Sequence, residues 1–255
     1  MIETVPLKTV IVATMPRSGS NLVCSYMRTL GVVGRPDEYF NPEVAKRLTG
    51  EERTFQERAE NALFFGRTRN GVVALKLFKN ELDTVAGEID FEATFPNRIW
   101  LWVRRRDMAA QAVSLFIAEH TQQWLSFHDA RGKLPPFSEI PLRKRLEFLM
   151  GQDDAWQQYF TANDITPLVV WYEDFVMETD GALADICRHV GVPAPSFLPR
   201  VVRKLAAIVG IRLRGETDLK MKIQRTALNE EYKRRLIVNP NVSFPKARSA
   251  SQGLE

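Results

Sequence analysis

The sequence predicts an α/β fold with a central parallel sheet and helices on both faces. Three observations carry that prediction. Short apolar runs alternate with longer helical patterns along the chain, as strand–helix–strand crossovers require. The run Arg98–Val103 is nearly all apolar between its ends, which suits a strand covered on both faces. Two strands also lead through a polar turn straight into a helix, at Met15–Leu22 and at Arg104–Asp107.

Each element follows from local sequence. Lys8–Thr14 is the first strand, and Leu22–Leu30 is its helix, ended by Gly31. Pro42–Leu48 and Thr54–Arg67 read as helices. Asn70-Gly71 then turns the chain into a second strand, Val72–Leu77, followed by a helix at Asn80–Glu88. Pro96-Asn97 introduces the third strand, Arg98–Val103. Asp107–His120 is a long helix with Asp107 as its N-cap. Gln122–Pro141 is loop-rich, and Pro141–Ala162 is a long amphipathic helix. Thr166–Trp171 is the fourth strand, and Gly181–Val190 is a helix stopped by Gly191 and Pro193. No repeat or linker divides the chain. The expectation is one domain over 1–238 and a polar tail over 239–255.

Bulk composition narrows the function classes. At 255 residues, 45% hydrophobic and 26% charged, the chain has ordinary globular composition and can build one sizeable core. No apolar run approaches the ~20 residues that span a bilayer. Met1-Ile2-Glu3 lacks a basic leader region, so the expected setting is the cytoplasm. Cys24 and Cys187 lie far apart, without metal or redox spacing, and are expected to be reduced thiols. Three histidines (His120, His128, His189) without clustered cysteines argue against structural zinc. The charge of +4 is uneven: Arg200–Arg235 carries 11 basic and 4 acidic residues. That segment implies an anionic partner or a solvated face. No aromatic-interleaved basic motif points to nucleic acid.

The first turn, Met15-Pro16-Arg17-Ser18-Gly19-Ser20-Asn21-Leu22, is the most informative stretch. A strand–turn–helix junction aims backbone N–H groups and the positive end of a helix dipole at one point. Ser18 and Ser20 add hydroxyls, and Arg17 adds a permanent planar cation. A phosphate or sulfate suits these groups. A plain turn with Ser20 as N-cap fits the same residues. The nucleotide-triphosphate pattern GxxxxGK[ST] is incomplete: the turn has one glycine and no lysine. The second turn is Val103-Arg104-Arg105-Arg106-Asp107, followed by Gln111-Ala112-Val113-Ser114. In an open parallel sheet both turns open on the rim at the carboxyl ends of the strands. Arg105 or Arg106 could then share one phosphate with Ser114. An arginine cluster paired with Asp107 and nearby carboxylates is the competing reading.

Those residues, in that order, resemble the sulfotransferases that use 3′-phosphoadenosine 5′-phosphosulfate (PAPS). Gly31-Val32-Val33-Gly34-Arg35-Pro36-Asp37-Glu38-Tyr39-Phe40 is similar to the GVxGxPxEFF signature of the bacterial trehalose 2-sulfotransferase family. The run from Gln111 to Trp124 is similar to that family's QAVSxxxAxxTxxW. Gln224-Arg225-Thr226, with Glu231-Tyr232, is a weaker form of its C-terminal cofactor segment. The resemblance runs from about Val10 to about Arg235 and implies a three-layer, P-loop-like fold. It implies PAPS as co-substrate, no metal, a sugar or glycolipid precursor as acceptor, and a cytoplasmic homodimer. Arg17, Ser18, Gly19, Ser20 and Asn21 match the 5′-phosphosulfate loop. Arg105, nine residues before Ser114, matches the 3′-phosphate arginine. Arg106 matches the eight-residue spacing of other sulfotransferases. Gln224, Arg225 and Thr226 match further cofactor contacts.

Glu38 matches the family's catalytic base. Burial between Tyr39, Phe40 and the loop is expected to raise its pKa. The plain alternative is an exposed carboxylate paired with Arg35. His120 and His128 are competing bases, and His189 reads as structural. Lys76, at the end of the second strand, either touches sulfate or acceptor or solvates the strand end. Asp37, Trp124, Phe78 and Phe116 are candidate acceptor contacts, because sugars take carboxylate hydrogen bonds and aromatic stacking. Tyr172-Glu173-Asp174 reads as the cap of the next helix. Two other classes compete: a non-catalytic binder of nucleotides or polyanions, and a P-loop kinase, which the missing loop lysine disfavours.

Overall fold

A computed structural model describes residues 7–124, 132–195 and 227–237. The strands are β1 (Lys8–Thr14), β2 (Val72–Phe78), β3 (Arg98–Arg104) and β4 (Leu168–Trp171). They form one all-parallel sheet in the order β2-β1-β3-β4. The helices are α1 (Ser20–Leu30), α2 (Pro42–Thr49), α3 (Phe55–Phe65), α4 (Lys79–Glu88), α5 (Phe91–Thr94), α6 (Met108–Thr121), α7 (Glu139–Ala162), α8 (Tyr172–Met177), α9 (Thr179–Val190) and α10 (Ala227–Ile237).

Alternation along the strands builds two cores. In β1, Ile11 and Ala13 face one side with Leu75, Leu77, Trp100 and Trp102, and α3, α4, α6, α7 and α10 cover them. Val10 and Val12 face the other side with Ala74, Leu101 and Val103, under α1, α8 and α9. Near-continuous apolar strands are what two covered faces demand. β2 lies on one side of β1 and β3 on the other, so the chain changes direction at the carboxyl end of β1. That switch point is where open parallel sheets bind ligands.

The predicted strands and long helices are all present, with shifted ends. α1 begins at Ser20 rather than Leu22. Its N-cap is Gly19, at φ 90° in the left-handed region, so Ser20 is the first helical residue and not the cap. Asp107 does cap α6, accepting from the Ala110 N–H. α7 starts two residues before the predicted Pro141. α5 and α8 are additional short helices. The expected polar tail, 239–255, lies outside the described residues. Among the described residues no helix is long and apolar enough to cross a membrane.

The outer edge of β2 is covered by the segment that carries Glu38. The Lys76 N–H donates to the Asp37 carbonyl at 3.0 Å, and the Arg35 N–H to the Gly66 carbonyl at 2.8 Å. Gly34 makes this approach possible. Its φ is 83°, and a Cβ there would lie 2.3 Å from the Ala74 Cβ. The covered edge is protected from pairing with another chain. It also lays Glu38 directly over the Lys76 side chain.

Candidate active site

The first turn is held from beneath. The Gln111 side-chain amide on α6 donates to the Pro16 carbonyl at 2.7 Å, and the Trp156 indole N–H on α7 donates to the Thr14 carbonyl at 2.9 Å. Ser18 is buried, with its hydroxyl 2.7 Å from that of Thr14, so its side chain closes the turn rather than projecting from it. Gly19 lies against the ring of Tyr172; a Cβ there would meet the ring at 2.2 Å. Arg17 takes φ 62°, a conformation a non-glycine residue rarely holds without compensation. Here the compensation is long-range. Its Nε donates to Ser114 Oγ at 2.9 Å and its Nη1 to the Trp124 carbonyl at 2.5 Å.

The three consecutive arginines of the second turn have three different surroundings. Arg104 makes a two-pronged ion pair with Asp153 and lies between the rings of Trp102 and Trp171, at 4.0 and 4.6 Å. Arg106 is exposed and makes a two-pronged pair with Asp174, at 2.5 and 2.7 Å. Among the described residues Arg105 has no such partner. It lies 5.3 Å from the centre of the Tyr172 ring and reaches the Arg17 carbonyl in a long contact of 3.5 Å. Its Nε is buried without a hydrogen-bond partner among the described residues. Burial, reinforced by the Arg105 charge, pulls the Arg17 guanidinium down to about 10, still protonated at neutral pH. Arg17, Arg105 and Ser114 thus come together as two cations and a hydroxyl. Ser114 accepts from Arg17 and keeps its own proton to donate. An orphaned guanidinium nitrogen beside a second cation fits an anionic group, phosphate above all.

Tyr172, Glu173 and Asp174 do not cap the next helix, as expected from sequence; they face the second turn. Glu173 accepts from the Arg106 and Asp107 N–H groups at 3.1 and 3.3 Å, fixing the entry of α6. This cross-strand role has no local signature in the sequence. Gln224, Arg225, Thr226 and His128 lie outside the described residues. α10, which follows Thr226 directly, is docked here: Lys233 Nζ pairs with Asp107 Oδ2 at 2.5 Å.

The second half of the site lies at the end of β2. Lys76 is 2% exposed and does not solvate the strand end. Its ammonium pairs with Glu38 Oε1 at 2.5 Å and donates to Asn21 Oδ1 in the first turn of α1. Glu38 also accepts from the Asn41 side-chain amide at 3.1 Å. It is therefore neither exposed nor paired with Arg35. Its pKa departs from expectation too. Burial pushes the carboxyl up, but the Lys76 charge and hydrogen bond, helped by Asn41 and Arg47, outweigh it and hold the group below its ordinary value. Sequence alone puts Lys76 on the rim, 38 positions downstream, but not its buried pairing with Glu38.

Other expected contacts divide. The Asp37 carboxylate is committed to Arg47 at 3.1 Å and to the Glu38 N–H at 2.9 Å. Trp124 keeps an exposed ring, and its carbonyl is what Arg17 grips. Phe116 is a core residue, buried with Leu115 and Trp156. Phe78 is partly buried, its ring centre 5.8 Å from the Lys76 ammonium. His120 turns its Nδ1 back to the Phe116 carbonyl at 2.7 Å, the position of a helix-end residue. His189 lies 3.2 Å from the Trp100 carbonyl and is structural, as read.

By its fold the molecule is a three-layer, P-loop-like α/β protein. The sequence profile of the Stf0 sulphotransferase family matches residues 9–210, and the chain belongs to that family: it is a sulfotransferase. It is 22% identical over 206 residues to a trehalose 2-sulfotransferase of Mycolicibacterium smegmatis, covering 64% of this chain and 76% of that protein. It is 23% identical over 234 residues to a trehalose 2-sulfotransferase of Mycobacterium tuberculosis, covering 72% and 86%. The fold is similar to the sulfotransferase domain of the Synechococcus PCC 7002 olefin synthase, with a TM-score of 0.53 at 14% identity over 97% of this chain and 92% of that one.

Proposed function

We propose that the enzyme moves a sulfuryl group from PAPS to a hydroxyl of a small carbohydrate. The observation that carries this reading is the convergence of Arg17, Arg105 and Ser114, with the Arg105 Nε unpartnered among the described residues. When bound, PAPS would supply the activated sulfuryl group on its 5′-phosphate. The backbone of Arg17, Ser18, Gly19, Ser20 and Asn21, at the positive end of α1, would hold that 5′-phosphosulfate. Arg105 and Ser114 would hold the 3′-phosphate, and Gln224, Arg225 and Thr226 would complete the cofactor site. Arg106 is left to Asp174. Arg17 would stabilise charge that builds on the leaving phosphate oxygen.

Glu38 is the base in this reading. It is ionised at neutral pH and held in one orientation by Lys76 and Asn41, ready to take the acceptor proton as the oxygen–sulfur bond forms. Lys76 would face the sulfuryl and acceptor oxygens, and the exposed Trp124 ring and Asp37 would border the acceptor. Trehalose is the acceptor in the relatives' names, and a sugar hydroxyl is the class we extend to this chain. A second copy of the chain as partner and a cytoplasmic setting belong to the same reading; sedimentation equilibrium tests the former.

The donor is tested by thermal-shift titration with adenosine 3′,5′-bisphosphate against ATP. A shift with the bisphosphate is expected, and a shift with ATP alone overturns the assignment. A sulfate-transfer screen over trehalose, other glycans and small alcohols then tests the acceptor. Transfer only to alcohols without a sugar ring would overturn the carbohydrate class.

A further inference from the structure

The first turn is a type II β-turn with an arginine where glycine is the usual residue. The Ser18 N–H donates to the Met15 carbonyl at 3.3 Å, which closes a four-residue turn. Pro16 fixes the first central φ negative, and Arg17 takes φ 62° at the second central position. That combination defines type II, whose second central position favours glycine or asparagine. An arginine there is better suited to type I, which needs no positive φ. The two types differ by a flip of the central peptide, here Pro16–Arg17.

One side chain holds that peptide. The Gln111 Nε2 donates to the Pro16 carbonyl at 2.7 Å. A carbonyl only accepts, so the amide has one workable orientation, and its Oε1 is left buried without a hydrogen-bond partner among the described residues. Gln111 is 0% exposed within α6, where an apolar side chain of similar size would avoid that orphaned acceptor. Three residues on, Ser114 lies on the same face of α6 and accepts from the Arg17 Nε at 2.9 Å. α6 thus grips the peptide before Arg17 through Gln111, and the Arg17 side chain through Ser114.

We propose that Gln111 is a positioning residue for the donor: it locks the Pro16–Arg17 peptide in the type II orientation and so keeps the Arg17 N–H turned away from α6. The peptide is trans, so its N–H and carbonyl point in opposite directions. A flip to type I would put the Pro16 carbonyl where the Arg17 N–H now stands. The inference rests on the reading of this turn as the 5′-phosphosulfate loop. In that reading the N–H attracts the 5′-phosphate, and a carbonyl oxygen in its place would repel it. The lock therefore acts on the 5′ end of the donor alone, because the 3′-phosphate is assigned to Arg105 and Ser114. Gln111 itself touches no reacting atom and acts through the backbone of the turn.

Crystal structures of the full chain without nucleotide, wild type and Gln111→Met, give the sign of φ at Arg17. A positive φ in wild type and a negative one in Gln111→Met are expected. Isothermal titration then compares adenosine 3′,5′-bisphosphate with adenosine 3′-monophosphate, which lacks the 5′-phosphate. Gln111→Met should weaken the bisphosphate about 10–100-fold, the size of a charge-assisted hydrogen bond, and leave the monophosphate within about threefold of wild type. In Gln111→Glu only the protonated carboxyl can donate to the Pro16 carbonyl. Its bisphosphate affinity, taken as a ratio to wild type, should be near one at low pH and fall as the carboxyl ionises. An Arg17 φ that stays positive in Gln111→Met, equal losses for the two nucleotides, or a Gln111→Glu ratio that does not change with pH overturns the inference. If Gln111→Met fails to fold, the pH dependence of Gln111→Glu still decides. If wild type binds neither nucleotide, the donor assignment fails, and the Arg17 φ in the two structures still decides whether Gln111 locks the turn.

Discussion

At the carboxyl ends of β1 and β3, Arg17 and Arg105 stand together with Ser114, and among the described residues no carboxylate pairs with Arg105. At the end of β2, Lys76 is bound to Glu38, and burial pushes the Glu81 carboxyl, in the first turn of α4, up to about 7. The first region sets two cations and a hydroxyl side by side; the second pairs its buried ammonium with Glu38. Two neighbouring cations favour an anionic ligand, which is the binding half of the proposed site. A paired carboxylate and ammonium gain little from a further ion but respond to a proton, which is the proton-moving half of the same proposal.

The largest effect should come from the residue that ties the first region together. In the proposed reading, Arg17→Ala removes the cation that would stabilise the leaving group, and it breaks the bonds to Ser114 and Trp124. We expect kcat/KM to fall about 10³-fold, measured by sulfate transfer at saturating acceptor. A loss under tenfold would show that Arg17 only shapes the turn. Next is the second region. Glu38→Gln keeps the shape but removes the proposed base, and kcat should fall about 10²-fold while adenosine 3′,5′-bisphosphate affinity holds. Activity within a few-fold of wild type would remove the base assignment and with it the contrast between binding and proton-moving halves.

The arginine run sharpens the first region alone. Arg105→Ala should raise the Kd for adenosine 3′,5′-bisphosphate by about 10–100-fold, the size of one or two charge-assisted hydrogen bonds. Arg106→Ala, which breaks an exposed pair with Asp174, should change it by less than about threefold. Isothermal titration of the two variants side by side decides it, and the reverse order would give the 3′-phosphate to Arg106.

Much of this contrast was legible in the chain. Lys8–Thr14, the turn after it, and the Arg105–Ser114 spacing need only apolar patterning and turn chemistry, both local. What was not legible depends on partners distant in sequence. Ser18 reads as an anion ligand until Thr14 takes its hydroxyl. Tyr172 reads as a cap until its ring meets Gly19. The basicity of Glu38 was misjudged because its burial could be guessed and its buried countercharge could not. α5 was missed for a simpler reason: four residues carry no readable helical period.

The smallest expected effect probes the internal balance of the second region through stability. Glu81 has a pKa near 7 in the fold, above the ordinary glutamate value. Between those two values the folded chain holds a proton that the unfolded chain has lost. Its contribution to stability is therefore full below the unfolded pKa and is lost as pH rises through about 7. Glu38 has the opposite sign. Its depressed pKa adds stability above its ordinary value and loses it as pH falls. Glu81→Gln should thus leave Tm close to wild type at pH 5 and raise it relative to wild type at pH 8, by a few degrees at most. Glu38→Gln should lower Tm at pH 8, because it strips Lys76 of its counterion. It should lower Tm by a similar amount at pH 5, still above the ordinary glutamate value, and by less only as pH falls below that value. If Glu81→Gln shifts Tm equally at pH 5 and pH 8, and the Glu38→Gln loss does not shrink below the ordinary glutamate value, the cluster at the end of β2 holds no titrating charge. The two regions would then differ in composition but not in kind.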